Sequence, residues 1–278
     1  MCDAGTVRGE GGDGAFARAT AVTGGGDGRW TGAVAPGWDI GGNANGGYLL
    51  ALAGRALTRQ TGRPHPVTTT AHYHRPGAVG PVSVDVAVLN ESRRFTTATA
   101  TMRRDGQPVL SVLSTLGDLR ETTGPEAVAA SPPSMPDPEE CIALAEAGDE
   151  APPFSRRIDL RLHPDDAGFV AGRPSGATRM RGWFRLRGGE EVDALGLLCA
   201  ADAFPPTIFN SVLPRAWTPT IELTAHIRAL PTPGWLRCSF ETRNVTGGFL
   251  EEDGVVWDPS GRLVAQSRQL ALVPRAPA

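Results

Sequence analysis

The feature that most constrains the fold is an internal repeat. AHYHRPGAVGPVSVDVAVLNESRRF, beginning at Ala71, returns in outline as AHIRALPTPGWLRCSFETRNVTGGF, beginning at Ala225. His72 and His226 are 154 residues apart, as are Phe95 and Phe249; Gly106 and Gly261 are 155 apart, and Trp30 and Trp183 are 153 apart. Landmarks at so constant an offset, spread through both halves, mean two tandem copies of one structural unit. A sheet edge left open on one copy then finds its partner in the other.

Each copy carries the same succession. A short strand and hairpin come first (FARATAV to RWTGAVA; RIDLRL to MRGWFRL), then one helix-compatible apolar segment (ANGGYLLALAGRAL; VDALGLLCAADAF). Strands of alternating or β-rich composition follow: VTTTAHYH, VSVDVAVL, FTTATATMR and VLSVLSTL, then TIELTAHIRAL, LRCSFETR, GVVWD and LVAQSRQLALV. RRDGQP and WDPSGR mark the turn before the last strand of each copy. One helix followed by antiparallel strands predicts an α+β unit whose sheet wraps the helix. The expected organisation is a Gly-rich, disordered N-terminus over 1–14, one unit over 15–120, a linker over 121–154 and a second unit over 155–275. The linker is rich in Pro, Ala and acid, and CIALAEAG at its end is compatible with a short helix.

Charge excludes several partners. A formal net charge of −3 and a pI of 6.0 offer no electrostatic case for nucleic acid or an anionic membrane. All 27 basic residues are arginines, so no Walker phosphate-binding loop exists; HExxH and GxSxG are also absent. GGGDG, from Gly24, suits a hairpin loop better than a nucleotide cradle. Cys2, Cys141, Cys199 and Cys238 form no CxxC pair, which favours reduced thiols and argues against structural zinc. With no signal-like N-terminus and no apolar run of about 18 residues, a cytoplasmic protein is expected.

One residue breaks the apolar pattern. In LGLLCAADAFPPTIF, a helix over Leu195 to Phe204 places Leu195, Leu198, Cys199 and Asp202 on one face. That face should be buried, and a buried carboxylate needs partners or a task.

The helix opening at NGGYLLALAGRAL, HYHRPG on the next strand and the repeated units resemble the acyl-CoA thioesterase II family of double-hotdog proteins. The likeness spans about residues 15–120 and 155–275, and Trp235 and the DPSGRLVAQ turn support its register. It implies a double hotdog, two tandem units in which antiparallel sheets each wrap a central helix. It also implies catalytic roles for Asp202 late in the second helix, Thr220 opening the next strand and Gln269 in the last strand. The substrate would be an acyl-CoA or another acyl thioester. No cofactor or metal is implied, nor any nucleic-acid or membrane partner, and the chain would form a homo-oligomer, a dimer of double hotdogs. Glu222 stands where the family often has Asp. The first helix has Asn45 and Gly46 where a second acid would be expected, which leaves one competent site per chain.

Thioester hydrolysis needs an activated water and a stabilised oxyanion. Asp202 would orient or deprotonate the water while Thr220 and Gln269 hold it. Backbone amides at the N-terminus of a hotdog helix would meet the oxyanion, making Asn45, Gly46, Gly47 and Tyr48 the substrate-binding segment. Plainer readings stand beside these. Asp202 would cap the turn at AFPPT; strand alternation would put Thr220 with Glu222, Thr224, His226 and Arg228 on a solvated face; Gly46 and Gly47 would only permit tight packing. His72, His74 and His226 follow strand spacing, which suits packing or sheet-face hydrogen bonds. Arg75, Arg93, Arg94, Arg181 and Arg243 are the arginines considered for the CoA phosphates. Two other functions remain open at this level: a hotdog dehydratase or hydratase using one of these histidines, and a non-catalytic acyl-thioester-binding protein.

Overall fold

A computed structural model describes residues 14–146, 151–211 and 217–273. The first copy comprises α1 (Ala15–Ala19), β1 (Val22–Gly24), β2 (Arg29–Val34), the two-residue strands β3 (Asp39–Ile40) and β4 (Asn43–Ala44), and helix α2 (Gly46–Thr61). Four long strands follow: β5 (His65–Tyr73), β6 (Gly80–Glu91), β7 (Phe95–Arg104) and β8 (Gln107–Gly117). After the linker come β9 (Ile142–Ala143), β10 (Ile158–Leu162), β11 (Arg179–Leu186) and helix α3 (Ala194–Ala200). The second copy ends with β12 (Thr220–Ile227), β13 (Leu236–Glu241), β14 (Val245–Thr246), β15 (Phe249–Trp257) and β16 (Leu263–Leu272).

One antiparallel sheet runs β1-β2-β6-β7-β8-β5-β12-β16-β15-β13-β11-β10-β9, with β14 paired to β15. Outward from its centre, β5-β8-β7-β6-β2 matches β12-β16-β15-β13-β11 strand for strand. At the centre His72 faces Glu222, Thr70 faces Thr224 and Thr68 faces His226. That register is a local two-fold axis, because Thr70 and Thr224 are the same position in the two copies and their hydroxyls meet at 2.9 Å. The repeat thus becomes a seam: each copy closes the other's open edge.

Helix α2 starts where Asn45 caps it, its Oδ1 accepting from Tyr48 N at 2.9 Å. It stops at Gly62, whose φ of 66° suits a left-handed C-cap. Leu49, Leu50, Leu52 and Leu57 are buried in the sheet of the first copy, each worth about 1.5–3 kcal/mol of transfer free energy. Helix α3 is shorter than its pattern suggests. It is capped by Asp193 and ends at Ala200, since Pro205 and Pro206 force the chain out of the helix and leave Asp202 in a turn. Leu195, Leu198 and Cys199 are buried as their shared face requires. The two helices cross antiparallel on small residues: a Cβ on Gly47 would lie 2.8 Å from the carbonyl oxygens of Leu198 and Cys199, and one on Gly54 would lie 2.7 Å from Leu195.

Two expectations fail locally. Ala15–Ala19, read as the start of a strand, is a helical turn whose first amides are held by Glu190, at 2.8 Å to Phe16 N and 2.7 Å to Ala17 N. CIALAEAG forms no α-helix over its described part: Ile142 and Ala143 pair with β10, and only a single 3-10 turn, Leu144–Glu146, follows. The linker runs against the second copy. The carbonyls of Pro133, Pro136 and Pro138 accept from Arg237, Trp183 and Arg161, and Cys141 is buried. Apart from Gly14, the N-terminal segment expected to be disordered lies outside the described residues.

Candidate active site

Asp202 leaves the end of α3 and meets the beginning of α2, so its partners come from the other copy. Gly47 N donates to Asp202 Oδ2 at 2.9 Å, and Asn45 Nδ2 donates to the same oxygen at 3.0 Å and to the Asp202 carbonyl at 2.7 Å. Tyr73, at the end of β5, donates its hydroxyl to Gly46 O at 2.9 Å. In a trans peptide the C=O and N–H point oppositely. Tyr73 therefore holds the Gly46–Gly47 peptide with its N–H aimed at the carboxylate. The N-terminal end of the helix dipole adds to this hold. Burial nevertheless pushes the carboxyl up to about 6, against the lowering effect of the Gly47 and Gly46 amides and of Asn45. No side chain among the described residues donates to the other oxygen, Oδ1.

Thr220 and Gln269 come together by a route that alternation hides. A register shift between Thr220 and Glu222 sets Thr220 opposite Ala271 and Glu222 opposite Leu270. Thr220 is thereby turned to the inner face with Ala271 and Gln269, whereas Glu222, Thr224 and His226 remain outside. The solvated-face reading of Thr220 is corrected by this bulge. Thr220 Oγ1 donates to Gln269 Oε1 at 3.0 Å. Gln269 Nε2 in turn donates at 2.9 Å to Glu252, which sits directly opposite it on β15. Glu252 is 4% exposed and also accepts from Thr207 N at 2.9 Å. Burial pushes its carboxyl up to about 7, and the charge of Asp202 adds to the rise. Glu252 and Tyr73 are the residues that sequence reasoning missed. The inward alternation of Leu250, Glu252, Gly254 and Val256 is the signal that could have revealed the buried acid.

Asp202 does not cap its own turn; its carboxylate is held across the seam. It makes no hydrogen bond to Thr220 or Gln269, and its link to that pair is the electrostatic one through Glu252. Gly47 N–H, assigned to an oxyanion on sequence grounds, is committed to Asp202, and the Gly46 amide also acts on that carboxylate. Tyr48 is wholly buried: its hydroxyl donates to Ala19 O at 2.8 Å, accepts from Ala35 N at 3.0 Å, and its ring stacks on Trp38. Its side chain belongs to the core, not to a substrate surface. Arg181 is locked onto the buried Asp166 at 2.7 Å and is not free for a phosphate. Arg243 pairs with Asp253, Arg94 lies over Phe95, and Arg75 donates to Pro108 O. His72 and His226 are exposed on the outer face and His74 bonds Ser111, so these three do not reach Asp202. A cavity of about 610 Å³ lined by Glu222, Thr224, His226, Arg243, Asp253 and Arg268 also opens on that outer face, away from the carboxylate. No cluster of three potential metal ligands occurs among the described residues.

The two-fold relation predicts a second locus, and its residues differ. Gly47 against Asp202 is answered by Leu195 against Gly54, so the second acid is missing at Gly54 rather than at Asn45 or Gly46. The bulge recurs between Pro66 and Thr68, with Pro66 in the place of Thr220. Ala98 faces Ser114 as Glu252 faces Gln269. That locus has no carboxylate in the place of Asp202 or Glu252; its acid, Asp193, stands in the place of Asn45, caps α3 and lies 3.7 Å from Arg55.

Comparison with known proteins agrees with this architecture. A family model for the N-terminal domain of acyl-CoA thioesterases matches residues 34–117, and one for the C-terminal domain matches residues 138–273. A candidate thioesterase II from Thermobifida fusca is 34% identical, covers 94% of this chain and 98% of that one, and superposes with a TM-score of 0.85. A hot dog protein of unknown function from Alicyclobacillus acidocaldarius, 22% identical over 95% of this chain and 99% of that one, gives 0.82 and shows the same fold. An uncharacterised protein of Mycobacterium tuberculosis is 28% identical over 270 residues, 85% of this chain and 88% of its own length. With both domains matched, a double-hotdog fold and a 34% identical relative covered almost end to end, the chain belongs to the acyl-CoA thioesterase family.

Proposed function

We propose that the chain hydrolyses an acyl-CoA, or another acyl thioester, to the free acid and thiol at one site per chain formed by Asp202, Thr220 and Gln269. The observation that carries this reading is the carboxylate of Asp202. One of its oxygens is anchored by α2, the other takes no side-chain donor, and its charge acts on the Glu252–Gln269–Thr220 chain. A water donates one proton to Asp202 Oδ1 and is held by Thr220. Its oxygen attacks the thioester carbon, and the oxyanion develops near the N-terminal end of α2. Collapse breaks the C–S bond, and the thiolate takes the proton from Asp202. This chemistry suits a cytoplasmic acyl-CoA pool. Leu113, Phe249, Leu270 and Leu272, exposed on the outer face, favour a homo-oligomer in which that face is covered, and sedimentation velocity tests this.

A panel of acyl-CoAs of increasing chain length, read by a thiol reagent, tests the activity. We expect CoA release by the wild type and a loss of about 10²–10⁴-fold in Asp202→Asn. No release from any substrate, or full activity in Asp202→Asn, refutes the reading. Acyl-CoA raising the melting temperature without turnover would identify a binding protein instead.

A further inference from the structure

Gln269 is an amide with a donor end and an acceptor end, and the two ends face different partners. Its Oε1 accepts from Thr220 Oγ1 at 3.0 Å, and its Nε2 donates to Glu252 Oε1 at 2.9 Å. Glu252 Oε2 accepts from Thr207 N at 2.9 Å, a backbone amide that can only donate. Each link therefore runs the same way: Thr220 gives its proton to Gln269, and Gln269 gives one to Glu252. With its proton so committed, Thr220 offers a lone pair to anything else that approaches.

We propose that Glu252 is a positioning residue that fixes the direction of this hydrogen-bond chain, so that Thr220 and Asp202 both accept from the attacking water and its own lone pair stays free for the thioester carbon. The inference rests on the hydrolytic reading of the site. The acid belongs to the second copy alone: at the equivalent place in the first copy Ala98 faces Ser114, and Ser114 is satisfied by Thr69 at 2.9 Å. Asp202 is the charged group that acts on Glu252 among the described residues; Thr207 and Gln269, which touch it, are neutral. Proton release from Glu252 near pH 7, following that from Asp202 near 6, places the direction of the chain under pH control.

Glu252→Gln is a nearly isosteric reversal. Thr207 N still requires an acceptor, so the new amide turns its NH₂ to Gln269; Gln269 flips, donates to Thr220, and Thr220 must donate to the water. We expect kcat at pH 8 to fall by about tenfold or more with KM within about twofold. We also expect the wild-type kcat profile to rise through two proton releases and that of the variant to keep only the lower one. Wild-type kcat in Glu252→Gln, or an unchanged two-step profile, overturns the proposal. The side-chain amide of Gln269, one of four glutamines, provides a readout without turnover. In ¹⁵N-glutamine-labelled wild type its NH₂ signals should shift with pH as Glu252 ionises, and absence of that shift refutes the chain direction even if the variant does not fold. Failure of the wild type to release CoA refutes the hydrolytic reading alone.

Discussion

Asp202 interrupts an apolar run in the sequence, and its setting in the fold gives it partners from the other copy. Its raised pKa means that the ionised form, the one able to take a proton, dominates only above about pH 6. The lower limb of kcat/KM should therefore have its first midpoint near 6 and disappear in Asp202→Asn, as a rate profile over pH 4–9 would show. Glu252 carries a cost in stability whose sign follows from the same burial. The unfolded chain releases this proton near 4.5, whereas the folded chain holds it to about 7. Stability on this account falls as pH rises through that window, and the full cost, about 3 kcal/mol, is present above it. Glu252→Gln should be more stable than wild type in urea at pH 8 and indistinguishable at pH 4, while losing activity. Tyr73→Phe removes one hydroxyl and one hydrogen bond, to Gly46 O. A stability loss of about 1 kcal/mol with a disproportionate fall in kcat would show that the bond aims the Gly46–Gly47 peptide.

At the scale of elements, two devices bring the site together. One is the bulge at the start of β12, which turns Thr220 inward while leaving Glu222 outside. The other is the close crossing of α2 and α3 on glycine. A methyl at Gly47 would stand 2.8 Å from the backbone carbonyls of Leu198 and Cys199 and 2.9 Å from Asp202 Cβ, and backbone cannot step aside as a side chain does. Gly47→Ala should cost about 1–3 kcal/mol by chemical denaturation and displace the carboxylate, with kcat falling further than stability alone explains.

Across the whole molecule, duplication supplied the seam and divergence left it one-sided. Gly54, Pro66, Ala98 and Ser114 occupy the places of Asp202, Thr220, Glu252 and Gln269. Calorimetry with a non-hydrolysable acyl-CoA analogue should give about one site per chain. The repeat was legible because it is written in turn residues and strand landmarks, which local backbone chemistry fixes. The resemblance then pointed to Asp202, Thr220 and Gln269, although period-two alternation alone sent Thr220 to the wrong face.

The amino-acid sequence by itself determined two α+β units, their offset, an acid on the apolar face late in the second helical segment and the absence of phosphate-loop and zinc motifs. Those properties depend on spacing along the chain, which a sequence records directly. Only the tertiary structure decided that Thr220 points inward, that Glu252 is buried against Gln269, that Tyr48 belongs to the core, and that Asp202 is held by the other copy's helix. Each of these depends on which strand or helix lies opposite, and a residue's own neighbours in sequence carry no record of that partner.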